Sequence, residues 1–472
     1  MILRIARREL LELYRDGRFR AAAAAVLLLL AAALAAGWHA TRELRAQHAA
    51  ATELTREHWL NQGPKNPHSA AHYGIYAFKP KPVLALVDEG VDPYVGVAVY
   101  LEAHRQNEFS DRPAADATSL QRYGALTAAT VLQVMVPLLI LLVGFRTFVG
   151  ERELGTLRQV LSLGLAPRAL ALGKATGLAL GLAALLIPAA LLGSIAILGA
   201  GAGTLDSRAV LLALAYLSYF AAWLGLTLAI SARASSSRTA LLTLLGIWIV
   251  ATLFAPRGVT EVVRVVHPTP TAQAFQEALR QEIETGPDGT SSPAERAAAL
   301  RARVLAEYGV DSLSQLPVNF SGLSLQESER WGDAAFDRHF GALWDTYERQ
   351  ERLRTTAGLV IPVLGIRSLS MALAGTDVRQ HRHFTESAER YRRYLVEAMN
   401  HDLAIHGVGH QVPYLADATL WASVPPFAYE PLRLRDIMAY RGWVLAALLV
   451  WALGSLAWAI RSARHLRPEH AR

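Results

Sequence analysis

The sequence predicts a polytopic α-helical membrane protein. Six transmembrane helices carry a mixed α/β, mainly helical extracytoplasmic domain built from two insertions. Three observations predict it. Apolar runs of membrane-spanning length recur six times, separated by polar or charged stretches. The chain is 52% hydrophobic yet 18% charged, with a mean hydropathy of +0.23, which suits a membrane protein with large water-exposed parts. The arginines gather at the ends of apolar runs, so the formal charge of +7 follows from the positive-inside rule and does not call for nucleic acid.

Residues 1–20 read as a cytoplasmic amphipathic helix. Leu3, Leu10, Leu11, Leu13 and Tyr14 alternate there with Arg4, Arg7, Arg8, Arg15, Arg18 and Arg20, a pattern suited to an anionic membrane surface. The first span is 21–38. A basic start and a short apolar core also resemble a signal peptide, but the long amphipathic start favours an uncleaved span. Residues 39–123 form the first extracytoplasmic insertion. Leu44 to Leu60 reads as helical, and Val83–Val87 and Val95–Leu101 read as strands separated by turn-forming Asp88-Glu89-Gly90 and Asp92-Pro93.

The second span is 124–145, followed by a charged loop at 146–169. The third is 170–200, with a kink expected at Pro188. The fourth is 208–231, and a small basic loop at 232–239 leads to the fifth, 240–255. That span is short, near the lower limit of ~17 residues. Residues 256–436 form the second extracytoplasmic insertion, too long to lack structure of its own, with helical patterns at 272–283, 293–308 and 388–403. The last span is 440–460, and 461–472 is a basic tail. Six crossings put both termini and the basic loops on one side, the cytoplasmic one, and the two insertions together on the other. Trp38, Tyr440 and Trp443 fall near the outer boundary, where amphipathic rings are favoured.

The loop at 146–169 stands out. It holds Glu151-Arg152-Glu153-Leu154-Gly155-Thr156-Leu157-Arg158 between two membrane-length runs. Each of those charges would cost several kcal/mol inside hydrocarbon, so the stretch lies outside it. Leu154, Leu157, Leu161 and Leu165 recur at three- and four-residue spacings, which reads as one face of a short amphipathic helix. Such a helix either lies on lipid or meets a soluble partner. An acidic pair at its start suits the helix dipole, and Gly155 would permit close approach of a partner backbone.

The six-span plan, the amphipathic start and this motif resemble the permease subunit of ABC-2 type transporters. In that family the acidic-Gly-Thr loop is the coupling helix that docks into the ATPase subunit, and Glu151, Glu153, Gly155 and Thr156 match it. The resemblance therefore implies an ATPase-coupling set of Glu151, Arg152, Glu153, Gly155, Thr156, Leu157 and Arg158. Arg233 and Arg238, in the second cytoplasmic loop, become a secondary contact. The two insertions resemble a subgroup with a large uncharacterised extracytoplasmic domain, on the strength of Asn66-Pro-His-Ser-Ala-Ala-His-Tyr-Gly74 and the stretches Tyr94-Val-Gly96 and Leu101-Glu-Ala-His-Arg-Gln-Asn107. The implied setting is the bacterial inner membrane, multi-pass with cytoplasmic termini. The implied partners are an ABC ATPase subunit, a second permease chain (the same or related), the lipid bilayer and a periplasmic component. The implied task is export or work on that component.

The chain lacks a motor of its own. A phosphate-cradling loop needs Gly-x4-Gly-Lys-Ser/Thr. The nearest stretch, Gly173-Lys174-Ala175, lacks the upstream glycine and the hydroxyl, and Lys174 reads as an interface anchor. No cofactor is therefore expected on this chain, and ATP with Mg belongs on the partner. No cysteine is present, which excludes disulfides, thiolate metal sites and cysteine nucleophiles. Ser69 and Ser321 lie in no Gly-x-Ser-x-Gly frame, so an enzyme is not expected.

Histidines are conspicuous in the insertions. His68, His72, His401, His406 and His410 are candidate copper or zinc ligands, with His58, His104, His381 and His383 nearby in sequence. His-Glu-x-x-His is absent, and surface or structural histidine is the simpler reading. A metal-handling membrane complex and a membrane-anchored scaffold or sensor are the alternative functions. Few polar residues fall within the spans (Thr130, Gln133, Ser194, Ser218, Thr227), which argues against a strongly charged site in the membrane and suits hydrophobic or amphipathic cargo.

Overall fold

The computed structural model describes residues 1–112, 115, 126–201, 204, 206–287, 289–408, 413–464 and 466. Helix dominates, and among the described residues six helices are long and apolar enough to cross a membrane. Their cores are the six runs of the sequence, but most extend well past them. Helix α1 is Ile2–Arg15 and α2 is Gly17–Leu60. Asp16 ends one and caps the next, its side chain accepting from Arg18 N at 2.9 Å. The run 21–38 is thus the lower part of a 44-residue helix that continues unbroken through the expected Leu44–Leu60 segment.

The second apolar helix, α4, occupies 128–144 after the short elements described below. Helices α5 (Val149–Glu153) and α6 (Thr156–Ser162) follow, then α7 (Pro167–Gly199) and α8 (Ser207–Arg233). Helix α7 runs through Pro188 without a break. Helix α9 is Ser237–Val266, 30 residues that contain the fifth span expected at 240–255 and run on past Pro256. The reason is a π turn at Val250–Phe254, just before Pro256. Proline lacks the N–H that an α-helix needs, and a locally widened turn shifts the hydrogen-bond register so that the helix survives it. The same device recurs in α4, where a π turn at Val131–Met135 precedes Pro137.

Helix α8 is the centre of the bundle. Gly225 lies against the last apolar helix, Leu434–Arg464: a Cβ there would sit 2.4 Å from Ser455 Oγ and 2.6 Å from Leu456 N. On its other side Thr227 packs on Gly144, whose Cβ would lie 2.7 Å from the Thr227 methyl. Small residues let backbones approach where lipid supplies no hydrophobic drive between helices.

The polar parts form a second core. Helix α3 (Pro67–Tyr73) leads to an antiparallel sheet of β1 (Ile75–Phe78), β2 (Ala98–Glu102) and β3 (Arg105–Gln106), with Ile75 opposite Leu101 and Phe78 opposite Ala98. From the second insertion come α10 (Ala272–Thr285), α11 (Pro293–Tyr308), α12 (Phe320–Ala357), α13 (Pro362–Ala374), α14 (Val378–His406) and α15 (Ala418–Ser423); α16 is Leu434–Arg464. Trp59, Ile75, Val99 and Leu101 from one insertion share a buried cluster with Phe384, Leu395, Met399 and Trp421 from the other.

Two expectations for these parts are corrected. Val83–Val87 is not a strand: Val83–Leu86 is a 3₁₀ turn, and the strand lies earlier, at Ile75–Phe78. Pro80 and Pro82 deprive that stretch of ladder donors. Its apolar side chains instead join the membrane bundle, with Leu86 O against Gly37 of α2. Likewise Asp92–Val95 is one helical turn, and only Ala98–Glu102 of the second run is extended. Helix α13 was not expected at all. Its Val363, Ile366, Leu369 and Leu373 belong to the bundle core, so part of the second insertion is built into the membrane helices.

Candidate functional site

The elbow between α4 and α7 is a jointed clamp. The single amphipathic helix expected there is corrected to two short ones, because Gly155 takes a left-handed conformation with φ of 73°. Nothing lies within 4 Å of a Cβ built on Gly155, so the glycine serves the turn here. The break rotates the leucines apart: Leu157 is buried, whereas Leu154 is 72% exposed.

Charged residues at the elbow's base face inward. Lys174, on the second turn of α7 and only 2% exposed, pairs with Glu151 at 2.6 Å and with Glu9 of α1. Its reading as an interface anchor is therefore corrected: it is a buried junction of three elements. Burial holds the Glu9 carboxyl above its ordinary range, against the pull of the Lys174 ammonium. Helix α1 reaches this junction because α7 presents Gly173, Gly177 and Gly181 along one face. A Cβ at those positions would meet Ile5 at 2.6 Å, Glu9 at 2.5 Å and Leu13 at 2.7 Å. The amphipathic start thus packs on α7.

The next two residues clamp the other loop. Arg152 donates to Ala234 O at 2.5 Å and Ala232 O at 2.9 Å, capping the C-terminus of α8. Glu153 accepts from Ser237 N at 2.6 Å and Ser237 Oγ at 2.5 Å, capping the N-terminus of α9. A cation at a helix C-terminus and an anion at an N-terminus both suit the helix dipole. The two Ser237 hydrogen bonds hold the Glu153 carboxyl below its ordinary range. Phe148 N also donates to Ser231 Oγ at 3.0 Å, and Thr156 Oγ1 to Glu151 O at 3.2 Å.

Of the motif residues, then, Glu151, Arg152, Glu153, Thr156 and Leu157 are engaged within the chain, and Arg158 is exposed. Arg233 and Arg238 are exposed on either side of the clamped loop. Leu163, 87% exposed at the far end of α6, is an apolar tip that the periodicity reading passed over. Lys174 and Glu9 were also missed as partners, since 165 residues separate them. A lysine early in an apolar run was the available signal. At the same end of the bundle Arg168 of α7 lines a cleft with Arg461 and Arg464 of α16.

At the opposite end Gln133, Tyr216, Ser370 and Asp88 form a buried polar chain. Gln133 Nε2 donates to Tyr216 OH at 3.0 Å, Tyr216 OH lies 3.1 Å from Ser370 Oγ, and Ser370 Oγ donates to Asp88 at 2.5 Å. Arg367 Nε reaches Gln133 Oε1 at 3.2 Å. The sequence placed no charge beside Gln133, because Arg367 comes from the second insertion on α13.

Among the candidate metal ligands, His68 and His72 lie together, and His104 joins them from the β2–β3 hairpin. His401 and His406 are exposed on α14 and not in that group, His406 pairing with Asp402 at 2.8 Å. His410 lies outside the described residues.

Six apolar helices among the described residues, an inserted polar domain and a charged elbow tying three of the helices together describe a multi-pass membrane protein. Residues 3–286 match the model of the ABC-2 family transporter protein, more than half of the chain, and the chain belongs to that family. Residues 272–430 match a domain of unknown function, DUF3526, which coincides with the second insertion. No curated protein matches the chain. Membership makes the chain a membrane transport component and implies partnership with an ABC ATPase.

Proposed function

We propose that the elbow is the coupling site at which a separate ATPase subunit, carrying ATP and Mg, drives this chain. The observation that carries the proposal is the elbow's division of labour. Its base is fixed to α1, α7, α8 and α9 by Lys174, Arg152 and Glu153, while its tip offers Leu154, Arg158 and Leu163 to solvent. Force applied at such a tip moves the helices that hold the base. An apolar residue that none of the described residues covers suits a protein groove.

The arginines support the orientation. Arg168, Arg461 and Arg464 meet at the elbow's end of the bundle, as the positive-inside rule expects of a cytoplasmic face. Both termini then lie in the cytoplasm, and the domain of both insertions lies beyond the bacterial inner membrane. The chain works beside a second copy or a related chain, since two ATPase sites face two permease halves. Export or work on a periplasmic component is the task.

The test is ATP hydrolysis by the complex in nanodiscs. Leu163→Glu and Arg158→Glu should each abolish the permease-dependent part of hydrolysis, with insertion and thermal stability unchanged. Full activity in both variants would remove the elbow as the coupling site.

A further inference from the structure

We infer that His68, His72 and His104 form a binding site for a divalent transition metal, copper or zinc, on the domain built from the two insertions. The three rings form a nearly equilateral triangle, with centroids 4.8, 5.0 and 5.0 Å apart. One nitrogen from each lies within 4.8 Å of the others. A metal at ~2.0–2.1 Å from each imidazole needs nitrogens about 3.3 Å apart. His68 Nε2 and His104 Nε2 are already 3.1 Å apart, and the His72 ring beside them is exposed.

Ring orientations make the case sharper. His68 Nδ1 lies 2.8 Å from Asn400 Oδ1, and the same amide uses its nitrogen on Gln326 Oε1 at 3.1 Å. His104 Nδ1 lies 2.6 Å from Glu329 Oε1. Glu329 is buried, and its second oxygen pairs with Arg392 at 3.3 Å. Each ring thus turns its Nδ1 to an acceptor and its Nε2 toward the other ring. Two Nε2 atoms this close share either a proton or a metal ion, and the third ring beside them suits the metal. Carboxylate and amide acceptors behind ligating imidazoles are also the arrangement that orients them and raises their basicity.

The backbone was shaped for this. Asn66 caps α3, accepting from His68 N at 2.9 Å, and Pro67 starts the helix, so His68 and His72 share a face at i and i+4. His104 takes φ of 65° in the two-residue turn between β2 and β3. That conformation costs a non-glycine residue about 1–2 kcal/mol, and glycine or asparagine is the ordinary occupant. The strain persists because Glu329 holds both His104 N, at 2.9 Å, and the ring. Three neutral imidazoles without a thiolate suit Cu²⁺ and Zn²⁺, with copper the tighter.

The experiment uses the full chain with a histidine-free affinity tag, purified in detergent and stripped with chelator. Titration with CuCl₂ and ZnSO₄ is followed by calorimetry, and Cu²⁺ by electron paramagnetic resonance. One equivalent per chain is expected, with nitrogen hyperfine structure. His72→Gln should weaken binding at least tenfold. Because His72 is exposed, this variant spares the fold. Glu329→Gln should weaken it roughly 10–100-fold through the orientation of His104. His401→Gln with His406→Gln should leave it unchanged. Absence of a stoichiometric site, or a site insensitive to His72→Gln, would overturn the inference.

Discussion

Replacing Lys174 with methionine isolates the junction beneath the elbow. The ammonium is buried and shared by Glu9 and Glu151. Methionine keeps the stem's volume and removes the charge, leaving two carboxylates facing each other away from water. Breaking a buried ion pair in this way costs about 3–5 kcal/mol. Most of that cost is relieved if α1 lifts off α7, so the energy appears as undocking of α1. At ~1.4 kcal/mol per factor of ten, the undocked population rises roughly 10²- to 10³-fold or more. The chain has no cysteine, so a single cysteine at position 6 (Ala6→Cys) reports that population by maleimide labelling. Ala6 is buried against Gly177, and labelling requires undocking. Lys174→Met should accelerate labelling by that factor. Adding Glu9→Gln and Glu151→Gln should restore protection, because no unpaired charge then remains. An unchanged labelling rate in Lys174→Met would refute the junction, and acceleration that the two glutamines fail to reverse would refute its electrostatic origin.

Gly225→Ala puts a Cβ 2.4 Å from Ser455 Oγ and 2.6 Å from Leu456 N, so α8 and α16 must separate; a loss of about 1–3 kcal/mol is expected, read as a lower Tm in detergent. Trp421→Ala empties the shared core of the two insertions and should cost about 3–5 kcal/mol. Proteolysis should then cut the residues around Trp59 and Phe384 while the apolar runs of the membrane helices stay protected. The Glu153 carboxyl is held below its ordinary range by Ser237, so its clamp is complete above that range and is lost only as pH falls through the lowered folded value. Isotope-edited infrared titration of Glu153 should therefore show a depressed midpoint that Ser237→Ala returns toward the ordinary carboxylate value.

The sequence displayed what is local. Among the described residues, apolar runs marked all six helices long and apolar enough to cross a membrane, and the charge-dense motif at 151–158 marked the elbow. Long-range pairing was hidden. Lys174 looked like an anchor because its partner Glu9 lies 165 residues away, on a helix whose arginines suggested lipid. Pro256 looked like a stop because a π turn has no composition signature to announce it. Helix α13 was concealed by Arg367, Ser368 and Ser370, which interrupt an apolar stretch too short to span a bilayer. His68 and His72 were visible at helical spacing, but His104 enters the triangle through a hairpin turn that only β pairing defines.

Helix α2 gives the proposed coupling a mechanical consequence. It is continuous for 44 residues, about 66 Å at 1.5 Å per residue, and has no proline within it. Its lower end is joined through Asp16 to α1, which Lys174 ties to the elbow. Its upper end carries Trp59, whose indole donates to Trp421 O at 2.9 Å inside the core of the two insertions. A displacement at the elbow therefore has a path through α1, the Asp16 joint and α2 to the polar domain. The chain from Gln133 through Tyr216 and Ser370 to Asp88 is a second connection, from α4 and α8 into both insertions. Two connections that end in one folded unit resist independent movement of its halves. Under the proposed coupling, a stroke at the elbow would carry the inserted domain along with the membrane helices.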